Sequence, residues 1–242
     1  MRFWFFDFDG TLSAIVPDRT AAQLHPECAA MLHKLTAMPP EQVVIISSRR
    51  LDDIAGRVDL PEVIVGGCSG AEWQFPGGFR ISVNGRQKTA LERARKEILG
   101  ELPERVAGEG VDIEDKLWSV AIHIRLADAG TRHQVRERVI AWCAEHGLSV
   151  YCGPDVLELQ LIPGFNKSTG LGFLAGFMKF DPAADRIVYA GDDENDAVAM
   201  QWAVQHGGTA IMVGNRLGVP SAIYVPDQQA LVGTVQALLH GA

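Results

Sequence analysis

Short, uninterrupted apolar runs are what most constrain the fold of this chain. Arg2-Phe3-Trp4-Phe5-Phe6, Val43 to Ile46, Val63 to Val65, Ile187 to Ala190 and Ala210 to Val213 show no polar residue at every second position. A strand with one wet face alternates; a run without alternation needs cover on both faces, as in a parallel sheet between helical layers. Amphipathic stretches between the runs supply those layers. The spacing predicts a helix over His25 to Met38, with Pro26 in its first turn and Met31, Leu32, Leu35 and Met38 on one face. The expected class is therefore α/β.

The middle of the chain follows a different rule. After a break at Pro76-Gly77-Gly78, apolar residues alternate in period two. Trp118, Val120, Ile122 and Ile124 share one face, and Ser119, Ala121, His123 and Arg125 the other. Leu157, Leu159 and Leu161 likewise oppose Glu158 and Gln160. Two helices, expected near 87–99 and 131–146, are placed to cover the apolar face. This reads as a small α+β domain over 77–162, inserted into a core made of 1–76 and 163–242.

Composition limits what such a chain does. With 22 Lys plus Arg against 30 Asp plus Glu, the net charge is −8, which argues against bulk binding to nucleic acid or to an anionic membrane. No apolar stretch approaches the roughly 18 residues of a membrane helix. The Phe3–Phe6 run is cut off by Asp7 too soon for a signal peptide. Cys28, Cys68, Cys143 and Cys152 form no zinc-like spacing, so reduced thiols in a cytoplasm are expected.

Three polar clusters directly follow apolar strands. They are Asp7-Phe8-Asp9-Gly10-Thr11, Ser47-Ser48-Arg49 and Gly191-Asp192-Asp193-Glu194-Asn195-Asp196. Taken singly they read as a solvated turn, a helix cap and an acidic turn. Together they sit where open α/β sheets bind ligands, beyond the carboxyl ends of the strands. Convergence brings Asp7, Asp9 and Asp192 together. Crowded carboxylates repel unless a cation sits among them, and oxygen ligands select a hard divalent ion such as Mg²⁺. Lys167, where the chain returns from the insert, supplies positive charge for a phosphate dianion.

These clusters resemble the motifs of the haloacid dehalogenase (HAD) superfamily. Asp7-Phe8-Asp9-Gly10-Thr11-Leu12 is similar to its DxDGT motif, Ser47 to the second, Lys167 to the third, and Gly191-Asp192-Asp193-x-x-Asp196 to the fourth. The resemblance implies a Rossmann-like parallel-sheet core, with the insert as a type C2 cap covering the active site. Within the superfamily the chain resembles the trehalose-6-phosphate phosphatases. Gly67-Cys68-Ser69-Gly70-Ala71-Glu72 is similar to their Gly-Asn-His-Gly-x-Glu segment. Glu114-x-Lys116 followed by Ser119, His123 and Arg125, then Val156-Leu157-Glu158, resemble their cap motifs, and Ala222-Ile223-Tyr224 onward resembles their closing strand and helix. The chain departs from them at Gln160, where Arg or Lys is usual, and at Asn195-Asp196-Ala197, where Thr-Asp-Glu is usual.

The resemblance implies a Mg²⁺-dependent phosphatase acting through an aspartyl-phosphate. It assigns Asp7 as nucleophile and Asp9 as general acid and base. Asp7, Asp192 and the Asp9 backbone carbonyl would hold the metal, with Asp193, Asn195 and Asp196 behind them. Thr11, Ser47, Ser48 and Lys167 would hold the phosphoryl group, and Glu114, Lys116, Arg125 and Glu158 the sugar. The expected substrate is trehalose 6-phosphate. Another sugar phosphate or a glycosyl-phosphoglycerate is the alternative that the departures keep open, and a non-catalytic sugar-phosphate sensor is a remoter one. Nothing in the sequence suggests a protein partner.

Overall fold

The computed structural model describes residues 1–83, 88–214 and 218–241. The chain divides into two compact units, Met1–Val83 with Asn166–Ala242, and Asn84–Phe165.

The first unit is built on β1 (Arg2–Phe6), β2 (Glu41–Ile46), β3 (Ile64–Gly67), β4 (Glu72–Gln74) and β5 (Arg80–Ser82). The second unit then supplies β6 (Asp112–Asp115), β7 (Ser119–His123), β8 (Ser149–Cys152) and β9 (Val156–Gln160). After it come β10 (Arg186–Gly191), β11 (Thr209–Val213) and β12 (Ile223–Val225). The helices are α1 (Pro26–Thr36), α2 (Leu51–Val58), α3 (Lys88–Val106), α4 (Ala129–Glu145), α5 (Lys167–Phe177), α6 (Glu194–Gln205) and α7 (Gln228–His240).

The core sheet has the order β12-β11-β10-β1-β2-β3-β4-β5. It is parallel from β12 to β3 and antiparallel beyond. Both faces are covered, which is why the strands read as continuous apolar runs. Trp4, Phe6, Val43, Ile45, Val188 and Ile211 pack with Leu32 and Leu35 of α1, Ile54 of α2 and Leu231 of α7. Phe3, Phe5, Val44, Ile46, Ile187 and Met212 pack on the other face with Leu171 and Leu174 of α5 and Ala199 and Ala203 of α6.

The break at Pro76-Gly77-Gly78 is not where the insert begins. It is the turn between β4 and β5, and this hairpin extends the core sheet, with Trp73 fully buried in the second of these clusters. Gly66 makes room for that indole: a Cβ there would lie 2.5 Å from Trp73 Cζ3. The start of the inserted unit therefore moves from the expected 77 to 84, and its end from 162 to 165.

The inserted unit is a four-stranded antiparallel sheet, β6-β7-β9-β8, with α3 and α4 on its apolar face. Its own core joins Val120, Ile122, Leu157 and Leu159 to Leu102 of α3 and Val139 and Trp142 of α4. The helix expected over 87–99 runs on to Val106 through Pro103, while Gln87 lies outside the described residues. Asp128 caps α4 by accepting from the backbone N–H groups of Gly130 and Thr131.

Candidate active site

The strand order places the site. β1 is followed in space by β2 on one side and by β10 on the other, so the polar segments after β1 and β10 emerge side by side at the point where the winding reverses. Phe6 pairs with Ala190, and the Asp7 N–H donates to the Ala190 carbonyl at 2.9 Å. Asp7 is thus fixed by one more rung of the ladder, with its buried carboxylate beside Asp192. Carboxylate oxygens of Asp7, Asp192 and Asp196 all lie within 4.8 Å of one another.

Lys167 joins this group from α5. Asn166 caps that helix with a reciprocal hydrogen bond to Thr169, which sets Lys167 at its first position. Its buried Nζ donates to Asp7 Oδ1 at 2.5 Å and to Asp196 Oδ1 at 2.7 Å. Asp196 sits in the first turn of α6, where Asp193 is the cap; each of the two accepts from the other's backbone N–H. Asn195 is half-buried beside it.

The charges are frustrated as they stand. Burial pushes the Asp7 carboxyl well above its ordinary range; Asp196, Asp192 and Asp193 add to this, and Lys167 opposes it. Burial and Asp196 push Asp193 up to about 7. Burial alone would pull the Lys167 ammonium down, but Asp196 and Asp7 reverse this and hold it above its usual value. A divalent cation at the Asp7 and Asp192 oxygens would relieve this repulsion, so the donor set suits a hard, oxygen-ligated ion such as Mg²⁺. Asp196 offers such an ion little. Its Oδ1 accepts from Lys167 and from the Tyr189 hydroxyl, and its Oδ2 from the N–H groups of Asp192 and Asp193. Gly10 crowds the same spot: a Cβ on it would lie 2.1 Å from Asp192 Oδ2.

Asp9 does not join the carboxylate cluster that the sequence suggests. Its side chain forms a two-pronged pair with Arg49, from Nε at 2.6 Å and Nη2 at 2.7 Å. Arg49 also donates to Asp53 of α2 and to the Arg19 carbonyl. The planar guanidinium fork matches a carboxylate, which accounts for the preference. Ser47 is buried at the end of β2, with its Oγ accepting from the Arg49 N–H, and Ser48 is half-buried after it. Thr11 Oγ1 is buried with no protein partner.

In the inserted unit the structure joins two of the four residues expected to hold the sugar, Lys116 and Glu158. Lys116 Nζ donates to Glu158 Oε2 at 3.1 Å, and Ser119 Oγ to Glu158 Oε1 at 2.6 Å, all three residues being buried. Glu114 lies opposite Ala121, as Glu158 does, and meets His123 Nε2 at 3.0 Å. Continuous strand parity would set Lys116 on the other face. Leu117, at φ 72°, breaks that parity, because β6 ends before it and β7 starts after it. Arg125 lies past the end of β7, where Asp155 binds both it and Arg132.

Sequence reasoning missed the roles of Arg49 and Tyr189. Arg49 stood inside a quoted cluster, and its fit to Asp9 follows from β1 and β2 being neighbours. Tyr189 reads as apolar filler in a buried strand.

The trehalose-phosphatase family model matches residues 5–219. A trehalose-phosphate phosphatase of Mycobacterium marinum is 35% identical over 215 residues, covering 86% of this chain and 53% of its own length. One from Mycobacterium leprae is 31% identical over 230 residues, covering 88% and 52%. The chain thus spans about half the length of the curated relatives it matches. Among solved structures, the C-terminal domain of a Candida albicans trehalose-6-phosphate phosphatase aligns with a TM-score of 0.83 at 19% identity, covering 99% of this chain and 92% of that one. A haloacid dehalogenase-like hydrolase from Bacillus subtilis aligns at 0.63 and 15%, covering 98% and 100%, and both likenesses show the fold. On the match over nearly its whole length, the chain belongs to the trehalose-phosphatase family, and its architecture is that of the HAD-like hydrolases.

Proposed function

We propose that this chain is a phosphoric monoester hydrolase that converts trehalose 6-phosphate to trehalose and phosphate. The observation that carries the reading is Lys167 held between Asp7 and Asp196, with Asp192 alongside, at the ends of β1 and β10. That set combines a nucleophile, a fixed positive charge and oxygen ligands for a cation, which phosphoryl transfer needs more than it needs any other chemistry.

In this reading an Asp7 oxygen attacks phosphorus in line while the bond from phosphorus to the sugar oxygen breaks. Asp9 gives its proton to the departing oxygen. Water then attacks the aspartyl-phosphate, Asp9 takes the water's proton, and Asp7 is restored as phosphate leaves. Asp9 leaves its two-pronged pair with Arg49 to reach the departing oxygen. Lys167, Ser47 and the Ser48 N–H hold the phosphoryl oxygens, and Thr11 Oγ1 is the buried hydroxyl with room for a further such bond. Asp7, Asp192 and the Asp9 carbonyl are the residues that would hold Mg²⁺, whose chemistry is to neutralise charge on the transferring group. Asp193, Asn195 and Asp196 orient them. In the inserted unit Glu114, Lys116, Arg125 and Glu158 are the proposed sugar contacts, with Lys116 presented by Glu158.

We place the reaction in the cytoplasm, a reading supported by four cysteines that are not joined in disulfides. Among the described residues no helix is long and apolar enough to cross a membrane.

The test is Mg²⁺-dependent phosphate release from a panel of sugar phosphates. Trehalose 6-phosphate should give the highest kcat/KM, chelation should abolish turnover, and Asp7→Asn should leave under about 1% of it. Substantial activity in Asp7→Asn removes Asp7 as nucleophile. Gln160 and the Gly-Asp-Asp-x-Asn-Asp pattern favour a second reading, another sugar phosphate on the same site, and a different winner in the panel establishes it. Binding without release on every member identifies a sensor.

A further inference from the structure

Tyr189 stands in the middle of β10, between Phe5 of β1 and Ala210 of β11. Its ring stacks on Phe5 at 6.4 Å and 15°, inside a cluster of otherwise apolar side chains. A phenylalanine would fill this place with no hydroxyl to satisfy, and a buried hydroxyl must find a partner. The partner here is Asp196 Oδ1, at 2.7 Å. That oxygen also accepts from Lys167 Nζ, at 2.7 Å. The other oxygen takes the N–H groups of Asp192 at 3.2 Å and Asp193 at 3.4 Å. An ionised carboxylate has about four acceptor positions, and all are filled.

We propose that Tyr189 is a positioning residue of the phosphoryl-transfer site. Its hydroxyl completes the set of donors that fixes Asp196, so that Asp196 holds the Lys167 ammonium against Asp7 and stays closed to a cation. The proposal rests on the reading of Asp7 and Lys167 given above. Physically, a buried lysine between two carboxylates sits where the two pulls balance. Asp196 is anchored by three donors other than Lys167, so it is the fixed end. Removing the hydroxyl frees one acceptor position on the very oxygen that Lys167 uses. Asp196 Oδ1 then draws the ammonium more strongly, or turns, and Lys167 no longer stands where the phosphoryl oxygens need it.

Tyr189→Phe deletes one oxygen and keeps the stacked ring. The expected result is a fall in kcat of roughly 10- to 100-fold, the scale of a lost hydrogen bond to a charged group. The fall should be equal for trehalose 6-phosphate and for p-nitrophenyl phosphate, with KM for the sugar phosphate changed by less than about twofold. Placed on Asp196→Asn, the same substitution should cost less than about twofold more, because both act through Lys167. Binding of orthovanadate in the presence of Mg²⁺, read as the rise in Tm, needs no turnover and should weaken by a similar factor.

An unchanged kcat with a lowered Tm would mean that the hydroxyl only satisfies the core, and overturns the proposal. So would a loss on one substrate alone, or a full additive loss on Asp196→Asn. If the wild-type protein releases no phosphate from any substrate, the phosphatase reading fails, and the vanadate comparison still decides the role of Tyr189: weaker binding in Tyr189→Phe supports it and equal binding overturns it.

Discussion

Gly10 follows Asp9 at φ +89°, and a Cβ on it would lie 2.1 Å from Asp192 Oδ2. Two demands meet at this one position. The left-handed conformation costs a residue with a side chain about 1–2 kcal/mol, and the added carbon must displace a carboxylate that serves the candidate cation site. Gly10→Ala should therefore do more than lower Tm by a few degrees. The Mg²⁺ concentration for half-maximal hydrolysis of an aryl phosphate should rise by roughly tenfold or more, since a displaced ligand weakens the ion more than it weakens the fold. A variant with lowered Tm and unaltered Mg²⁺ dependence would remove Asp192 from the cation site. Asp9 shows a different residue-scale lesson. Its position two residues after Asp7 is legible in the sequence, but its side-chain direction is not, because Arg49, 40 residues on, decides it.

At the scale of elements, the turn at Leu117 governs what the inserted sheet presents. It restarts the parity of β7 and so sets Lys116 on the face of Ser119 and Glu158. Burial pushes Glu158 up, but Lys116 and Ser119 more than offset that, leaving it below its ordinary 4.5. A carboxyl depressed in the folded state adds stability that is full above its ordinary value and lost as the pH falls through the folded one. Glu158→Ala alone leaves a buried ammonium without its carboxylate and should cost about 3–5 kcal/mol. Replacing both, Lys116→Met with Glu158→Leu, should recover most of that loss and flatten the acid limb of Tm against pH. The double variant should still lose at least about tenfold in kcat/KM for trehalose 6-phosphate, while an aryl phosphate, with no sugar to hold, is hydrolysed as before. Equal losses on both substrates would show that the pair serves only the fold. The same scale explains what the sequence allowed. β1, β2, β10 and β11 were legible because cover on both faces forces apolar runs, and Asp7, Ser47, Lys167 and Asp192 because they stand at strand ends or helix starts. The β4–β5 hairpin was not legible, since a Pro-Gly-Gly turn inside a sheet reads like a Pro-Gly-Gly break between domains. Nor was the role of Tyr189, whose ring obeys the apolar pattern while its hydroxyl obeys another.

At the scale of the whole molecule, the two units differ in how far apart in sequence their partners lie. The insert Asn84–Phe165 is contiguous, antiparallel throughout, and has its own core. A fragment spanning it should fold alone, with cooperative thermal unfolding and dispersed amide resonances, whereas a fragment of 1–165 should leave the core sheet incomplete, with β1 missing its β10 neighbour. An unfolded spectrum for the isolated insert would refute its autonomy. The central strand faces the opposite situation: Arg2 of β1 pairs with Arg186 of β10. Once the insert has folded, the flexible chain joining these partners is shortened, and by the logarithmic law of loop closure this saves only about half a kcal/mol. The entropy cost of closing the β1–β10 loop is therefore almost indifferent to which unit forms first. The interval before closure is another matter. Until β10 arrives, Phe3-Trp4-Phe5-Phe6 has an open edge and lacks part of the cover on each face, from α7 on one and α6 on the other, and it is the kind of segment that recruits copies of itself. The sheet geometry that unites Asp7 with Asp192 thus makes the most aggregation-prone strand the one that waits longest for its partner, and the hazard lies in the time of folding rather than in the folded state.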